Sequence, residues 1–283
     1  MIDLHMHTNA SDGRSTPEEL VARAAAVGIR TLSVTDHDTM ASVPAASRAA
    51  AAAGLELVPG IEMTAVYAGR DVHVLGYYVD ADARELRDHT DTQRISRVQR
   101  AREIADRLAS LGAPIDIEGL VARAPARDAK SLARPQIARA LVEAGHVGSV
   151  QEAFDRFLAD GCPAYLPNAG KPPEEVVGII VRAGGVASLA HPGPLNQDDL
   201  ISRLAEAGLG AVEVYHCAHD EAARHRYKDL ARRHGLAVSG GSDYHGEGVR
   251  RAEFFGKVGL PPEEFAALKQ RAKAASGARF IRA

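Results

Sequence analysis

Two histidines, His5 and His7, end the first apolar segment of the chain. In a β-strand, residues two positions apart point to the same face, so both imidazoles can approach one divalent metal ion. An isolated His-x-His pair has a simpler explanation, because expression tags and solvated strand edges also carry it. The pair gains meaning only if the rest of the chain supplies further ligands.

Further residues of metal-binding type lie at or near the ends of the other predicted strands. They are Asp12, His37, Glu62, His73, His191, Asp243 and His245. The carboxyl ends of strands in an α/β barrel meet at one face, where the active sites of such barrels lie. Burying several carboxylates and imidazoles together is costly unless a metal compensates. The pattern therefore predicts a divalent metal centre with nitrogen and oxygen ligands.

Some of these residues also have ordinary structural explanations. His73 could be a hydrogen-bonded core histidine, Asp12 could belong to a turn, and His191 could end a strand. Asp36 and Asp38 are predicted to be N-cap residues of the alanine-rich helix that follows them, because short acidic side chains accept hydrogen bonds from a first helical turn.

The predicted elements place the ligand candidates on an α/β barrel. Apolar, β-branched segments alternate with amphipathic helices from Ile2 to Tyr77 and again after Pro173. Residues 83–160 instead have helical periodicity and almost no strand signal. We therefore predict about seven βα units, formed by residues 1–85 and 168–283, with an all-helical insertion over residues 86–167.

The composition is that of an ordinary globular protein. The chain has 283 residues, of which 46% are hydrophobic and 25% charged, and its net charge of −3 does not favour a general nucleic-acid binder. With only Cys162 and Cys217, a disulfide framework or a thiolate zinc cluster is excluded. No apolar run reaches the ~18 residues of a membrane span. We expect no leader before His5 and a cytoplasmic location.

A set of motifs occurs in order along nearly the whole chain outside the insertion. The motifs are His5-x-His7 with Asp12, Thr35-Asp36-His37, Gly60-Ile61-Glu62, His73, His191-Pro192 and Ser242-Asp243-x-His245. This set resembles the polymerase and histidinol phosphatase (PHP) family of metal-dependent phosphoesterases. The resemblance implies a distorted (β/α)7, TIM-like barrel with up to three divalent ions.

The resemblance also divides the ligands among the ions. One ion would be held by His5, His7, Glu62 and Asp243. Glu62 would bridge to a second ion, which His73 and His191 would also hold. The ligands of the third ion would be Asp12, His37 and His245. Nitrogen and oxygen ligands suit Mn²⁺, and also Fe or Zn.

The insertion carries two further motifs, Arg134–Leu141 and Cys162–Tyr165. They resemble a subgroup similar to the nucleoside 3′,5′-bisphosphate phosphatases, some of which also trim RNA from the 5′ end. Many of these relatives have lysine where this chain has Cys162, so a phosphate contact at that position lacks support.

The resemblance implies hydrolysis of a phosphomonoester by a metal-bridging hydroxide. The expected substrate is a nucleoside bisphosphate, with short RNA 5′ ends as a further substrate. Neither a membrane nor an obligatory protein partner is expected. The residues expected to act through the hydroxide are His5, His7, Glu62, His191 and Asp243.

Recognition of a second phosphate requires cations outside the metal centre. Arg134, Lys130 and Lys171 are candidates, because arginine and lysine pair with phosphate. Arg134 could instead be a solvated residue at a helix start. His216 and His219 follow a predicted strand, and they could contact substrate or serve the structure.

Three other functions compete with this prediction. Histidinol phosphate or another small phosphomonoester could be the substrate. A metal-dependent amidohydrolase also opens with His-x-His, but it commonly has a bridging lysine, and this chain has no lysine before Lys130. A non-enzymatic barrel module would have lost ligands, and none of the expected ligands is missing.

Overall fold

The barrel sheet has seven strands that lie side by side in chain order. The computed structural model describes residues 1–122, 132–248 and 251–280, with side chains of the last helix described up to residue 275. The strands are β1 (Ile2–Asp3), β2 (Thr31–Val34), β3 (Glu56–Tyr67), β4 (Arg70–Tyr77), β5 (Val186–Leu189), β6 (Ala211–Tyr215) and β7 (Ala237–Gly240). Leu4 N donates to Gly240 O, and Met6 pairs with Tyr244, so the sheet nearly closes. The predicted α/β barrel is confirmed.

The strands of the barrel are not all parallel. β4 runs antiparallel to both of its neighbours, while the other neighbouring pairs are parallel. β3 is continuous through Pro59 and Gly60. It then turns through Ala68 and Gly69 directly into β4. The regular βα repeat is therefore wrong at this point, because two residues cannot hold a crossover helix.

Eleven α-helices are described around and above the sheet. They are α1 (Pro17–Ala26), α2 (Val43–Ala52), α3 (Arg84–Ser110), α4 (Ile117–Ala122), α5 (Arg134–Glu143), α6 (Val150–Ala153), α7 (Pro173–Arg182), α8 (Pro192–Leu195), α9 (Asp198–Glu206), α10 (Glu221–Arg233) and α11 (Pro262–Phe280). A π-helical turn at Phe154–Leu158 extends α6. Helix α1 begins with a capping box, since Thr16 Oγ1 accepts from Glu19 N and the Glu19 carboxylate accepts from Thr16 N.

Asp36 and Asp38 do not cap α2, so that prediction is wrong. The residue before α2 is Ser42, and its side chain makes no capping hydrogen bond. Asp36 instead accepts hydrogen bonds from Thr8 N (2.8 Å) and from Ser42 Oγ (2.5 Å). Asp38 forms an ion pair with Arg97 of α3. Both carboxylates are buried, and they join loops to one another instead of satisfying a helix end.

The helices of the insertion bury an apolar cluster of their own. Its members lie between residues 101 and 164 and include Ile104, Leu108, Ile137, Leu141 and Phe157. The main barrel cluster is formed by other residues, from the strands and from the helices packed on them. A separate core is what an inserted subdomain needs, although the boundaries at 86 and 167 stay a prediction. Among the described residues, no helix has both the length and the apolarity needed to cross a bilayer.

Candidate metal centre

The residues predicted to bind metal lie together where several strands of the barrel end. β3 and β4 supply Glu62 and His73 from within the strands, and the others lie on the segments that follow β1, β2, β5 and β7. Imidazole rings from different segments are in contact, with centroids 4.0 Å apart for His7 and His245 and 4.8 Å apart for His37 and His73. The structure therefore brings together residues that are up to 240 positions apart in the chain.

The Glu62 carboxylate lies at the middle of this group and is buried. Its Oε1 atom lies 2.9 Å from His73 Nδ1 and 3.1 Å from His191 Nε2. The nitrogens 3.2 to 3.3 Å from its Oε2 atom are His5 Nε2, His7 Nε2 and His37 Nδ1. Each oxygen thus faces a different set of imidazoles, which is the arrangement expected of a carboxylate that bridges two ions.

Four groups of residues have ligand atoms that all lie within 4.8 Å of one another. They are His5, His7, Glu62 and Asp243; His7, Asp12, His37 and His245; His37, Glu62 and His73; and His5, Glu213 and His216. The first has the membership that the family resemblance implies, and the second adds His7 to the implied set. In the third group, His37 stands where the resemblance implies His191.

The unpaired nitrogens of the centre fit divalent metal ions. Among the described residues, His7 Nδ1 and Nε2, His37 Nδ1 and His73 Nδ1 are buried without a hydrogen-bond partner. Leaving such atoms unpaired is costly, and native proteins rarely do so. The nearest Glu62 oxygens lie 2.9 to 3.3 Å from His7 Nε2, His37 Nδ1 and His73 Nδ1, so a divalent cation would give each of these nitrogens a partner once it is deprotonated.

Two hydrogen bonds orient rings of the centre. His5 Nδ1 donates to Glu213 Oε1 at 2.9 Å, which leaves Nε2 free to face Glu62. His245 Nδ1 donates to the backbone oxygen of Asp243 at 2.8 Å, and its Nε2 then faces Asp12. Such outer hydrogen bonds fix the tautomer and the orientation of metal-binding histidines.

Glu213, a fully buried acid in β6, was not among the residues predicted from the sequence. It accepts from His5 Nδ1 and also from His191 N at 2.7 Å, so it supports two ligand candidates. A signal was present, because an acidic residue in the middle of the short apolar strand Ala211–Tyr215 must face a polar partner. Asp3 is a second buried acid that was not predicted. It accepts a hydrogen bond from Ser242 Oγ (2.6 Å) where β1 meets the end of β7.

Carboxylates and burial shift the pKa values of the rings in opposite directions. Burial alone would lower the pKa of His7, but the Asp243 and Glu62 carboxylates raise it to about 10. For His37, burial prevails over the nearby carboxylates and lowers the pKa to about 3. Burial would raise the pKa of Glu213, yet His5 and a second nearby imidazole lower it to about 2. Cations that bind here must displace protons, because a ligand nitrogen must be deprotonated.

Arg134 lies at the rim of the centre with its guanidinium engaged. It donates to Asp160 Oδ1 at 3.0 Å, and its Nη2 atom lies 3.7 Å from Asp71 Oδ2, two residues before His73. A cavity of about 140 Å³ lies against Asp71, His73 and His191. Arg134 is thus not the fully solvated helix-start residue of the alternative explanation, since only 22% of its side chain is exposed.

Lys171 and Lys130 are the two lysines that were predicted to bind substrate. Lys171 is exposed and pairs with Glu175 at 2.7 Å, beside a groove between α3 and α7. Lys130 lies outside the described residues.

His216 and His219 are both buried close to the metal centre, but their contacts differ. Ala218 N donates to His216 Nδ1, so the ring proton resides on Nε2, which lies 3.3 Å from Asp243 Oδ2. His219 uses both ring nitrogens for backbone contacts, with Val214 O at 2.9 Å and Gly193 N at 3.0 Å. These contacts suit a structural role for His219.

Arg251 is a cation of the centre that the sequence analysis did not single out. Its Nη1 atom lies 2.5 Å from Asp243 Oδ2, and a quarter of its side chain is exposed. Its backbone has φ +76°, a left-handed conformation that is uncommon outside glycine. No local pattern in the sequence distinguishes this arginine from the other surface arginines.

The chain is similar to one protein family, to two curated relatives and to one solved structure. The family described as PHP domain matches residues 3–88. The 5′-3′ exoribonuclease Rnm of Salmonella typhimurium is 36% identical over 250 residues, which span 86% of this chain and 84% of the relative. The 3′,5′-nucleoside bisphosphate phosphatase of Chromobacterium violaceum is 34% identical over 266 residues, 92% of this chain and 93% of the relative. A solved structure described as a metal-dependent phosphoesterase from Bifidobacterium adolescentis has a TM-score of 0.87 at 31% identity, covering 95% of each chain.

Proposed function

Since the chain belongs to the PHP family of metal-dependent phosphoesterases, we propose that it hydrolyses the 3′-phosphate of nucleoside 3′,5′-bisphosphates to give a nucleoside 5′-monophosphate and phosphate. The observation that carries the proposal is the meeting of the ligand groups on Glu62, with Arg134 of the insertion at the rim. The substrate is supported by the bisphosphate phosphatase of Chromobacterium violaceum, which matches over 92% of this chain.

We assign the ligands of the centre as the family resemblance divides them. Up to three divalent ions, with Mn²⁺ as the first choice, would share His5, His7, Asp12, His37, Glu62, His73, His191, Asp243 and His245. Divalent cations in such a centre activate water for attack on phosphorus and neutralise charge on the phosphoryl oxygens.

The protein's own residues prepare the site in two ways. Glu213 and the backbone oxygen of Asp243 hold His5 and His245 in fixed orientations, so that their Nε2 atoms face the centre. His216 holds a proton on Nε2 at the edge of the centre, and we assign it as the donor to the leaving oxygen.

Arg134 is the proposed ligand of the second phosphate. Its partner Asp160 is 65% exposed, and an exposed ion pair contributes little free energy. A phosphate dianion can therefore replace Asp160 at small cost and gain a charge-assisted contact. Lys171 and Lys130 remain further candidates for this role.

A second candidate function is trimming of short RNA from its 5′ end. The exoribonuclease of Salmonella typhimurium, 36% identical to this chain, supports it. The same metal centre would cleave a phosphodiester instead of a phosphomonoester, so the two functions differ in substrate access and not in the chemistry of the centre.

The test measures the inorganic phosphate and the mononucleotides that the Mn²⁺-loaded protein releases from four substrates. They are adenosine 3′,5′-bisphosphate, AMP, histidinol phosphate and a short 5′-phosphorylated RNA. We expect the bisphosphate to have the highest kcat/KM and to yield 5′-AMP. A preference for histidinol phosphate would overturn the substrate assignment. Absence of hydrolysis of every phosphate ester, with turnover of an amide panel, would instead favour an amidohydrolase.

A further inference from the structure

The helical insertion contacts the barrel beside the candidate metal ligands. Arg97 on α3 reaches Asp38, which follows His37. Three further contacts come from α5. The residues and their barrel partners are Gln136 with Ser11 O (2.5 Å), Arg139 with Asp12 O (3.5 Å) and Arg134 with Asp71 (3.7 Å). Each barrel partner is itself a candidate ligand or lies within two residues of one.

Arg97 makes the most deeply buried of these contacts, with 7% of its side chain exposed. Its Nε and Nη2 atoms donate to Asp38 Oδ2 at 2.9 and 2.5 Å. Nη2 also donates to Thr64 Oγ1 at 2.7 Å, and Nη1 to Leu132 O at 3.4 Å. One guanidinium thus joins α3, the segment before α5, the loop that follows β2 and strand β3.

Asp38 in turn holds the backbone around two candidate ligands. Its N–H donates to Glu62 O at 2.8 Å, and its Oδ1 accepts from Thr64 N at 2.7 Å. Its neighbour His37 pairs with Glu62 in an isolated bridge. Asp38 has a left-handed backbone with φ +51°, which persists only where surrounding contacts impose it.

The charges explain why an arginine is needed at this position. The Asp38 side chain is 1% exposed, so without Arg97 it would be a buried and unpaired carboxylate. An ammonium on a flexible stem can neutralise that charge, but it cannot contact Asp38 and Thr64 at the fixed spacing of a guanidinium.

We propose that Arg97 is a positioning residue that couples the helical insertion to the metal centre through Asp38, so that metal binding and docking of the insertion stabilise each other. The inference rests on the metal centre of the proposed function. Because the coupling is reciprocal, it is measurable without any substrate.

The experiment measures Mn²⁺ affinity and amide hydrogen exchange of the full-length protein. The variants are Arg97→Lys and Thr64→Val, with Arg102→Met as the matched control. Arg102 lies on the same helix, is half exposed and pairs with Glu118 inside the insertion. Thr64→Val removes only one hydroxyl, so it remains informative if substitution of Arg97 prevents folding.

We expect Mn²⁺ to slow exchange over residues 134–143 in the wild-type protein and in the control. In Arg97→Lys, Mn²⁺ affinity should fall about 10- to 100-fold, the range typical of outer contacts to metal ligands, and the metal should no longer slow that exchange. Thr64→Val should give a smaller change in the same direction.

A purely structural role predicts another result, and it would overturn the proposal. Arg97→Lys would then lose stability equally with and without Mn²⁺, and its metal affinity would match that of the control. If the wild-type protein binds no divalent cation, the proposal and the proposed function both fail. If it binds Mn²⁺ with the expected coupling but hydrolyses no phosphate ester, only the proposed function fails.

Discussion

Glu62 gives one carboxylate oxygen to each of two groups of imidazoles, so its loss should affect more than one ion. We predict that Glu62→Gln lowers activity by more than about 100-fold and reduces the bound metal per chain. Elemental analysis and phosphate release would test this. Glu56→Gln is the control, because Glu56 lies on the same strand but is exposed and pairs with Lys269. Full metal content in Glu62→Gln would refute the bridging role.

Arg134 is predicted to distinguish substrates with two phosphates from those with one. Arg134→Met should raise KM for adenosine 3′,5′-bisphosphate about tenfold, because a hydrogen bond to a charged group contributes about 1.5 kcal/mol. KM for 3′-AMP, which has the scissile phosphate but not the second one, should change less. The control is Arg156→Met, an exposed arginine of the same insertion that pairs with Glu152. Equal changes for both substrates would remove Arg134 from the phosphate site.

Metal uptake should release protons, and the raised pKa of His7 fixes the direction of this effect. A pKa of about 10 means that the metal-free ring is protonated at pH 8, while a metal ligand must be neutral. Mn²⁺ affinity should therefore rise as pH approaches 10. In the metal-free protein, the protonated ring stabilises the fold fully below its unfolded value near 6.5, and this contribution is lost as pH rises through 10.

Calorimetry in buffers of different ionisation enthalpy would measure the released protons directly. A binding heat that is independent of the buffer would contradict the prediction.

The antiparallel strand β4 brings His73 into the metal centre. In the β3–β4 register, His73 lies opposite Thr64, which is two residues from Glu62. Residues opposite each other and residues two apart share a face of the sheet, so His73 and Glu62 face the same side. A shift of one residue in this register would turn His73 away from the centre. The turn that sets the register is therefore part of what builds the site.

That turn has two residues with positive φ, Ala68 (φ +49°) and Gly69 (φ +74°). We predict that Gly69→Ala destabilises the fold by about 1 kcal/mol, because a left-handed backbone is unfavourable for a residue with a Cβ atom. The complementary change Ala68→Gly should be neutral or stabilising. Urea denaturation would measure the free energy of unfolding of both variants. If Gly69→Ala were as stable as Ala68→Gly, the result would argue against this turn geometry.

At the scale of the whole molecule, the barrel buries many ionisable groups at one end, and the imidazole nitrogens among them that lack a hydrogen-bond partner oppose folding when no cation is bound. Cations that bind only the folded state should raise its stability by about 2.7 kcal/mol at a concentration of 100 times Kd. We predict that Mn²⁺ raises Tm by several degrees and that a chelator reverses the change. The Glu62→Gln variant should show a smaller rise. A Tm that does not respond to divalent ions would contradict a metal centre of this size.

The sequence by itself determined the ligand types, their order along the chain and the α/β class. These features are local, because a histidine or carboxylate after an apolar strand, or a capping box before a helix, is visible in a few adjacent residues. They were also sufficient to indicate the family. The residues around Glu62 in the candidate metal centre are ones that these local features had identified.

Only the tertiary structure decided which local alternatives prevail. Asp38 is a plausible helix cap by its neighbours alone, and it became a buried partner of Arg97, 59 positions away. Glu213 and the reversal of β4 likewise depend on which distant segments meet. The physical reason is that hydrogen bonding and burial act between groups close in space, and their pairing follows from packing of the whole chain and not from any short stretch of it.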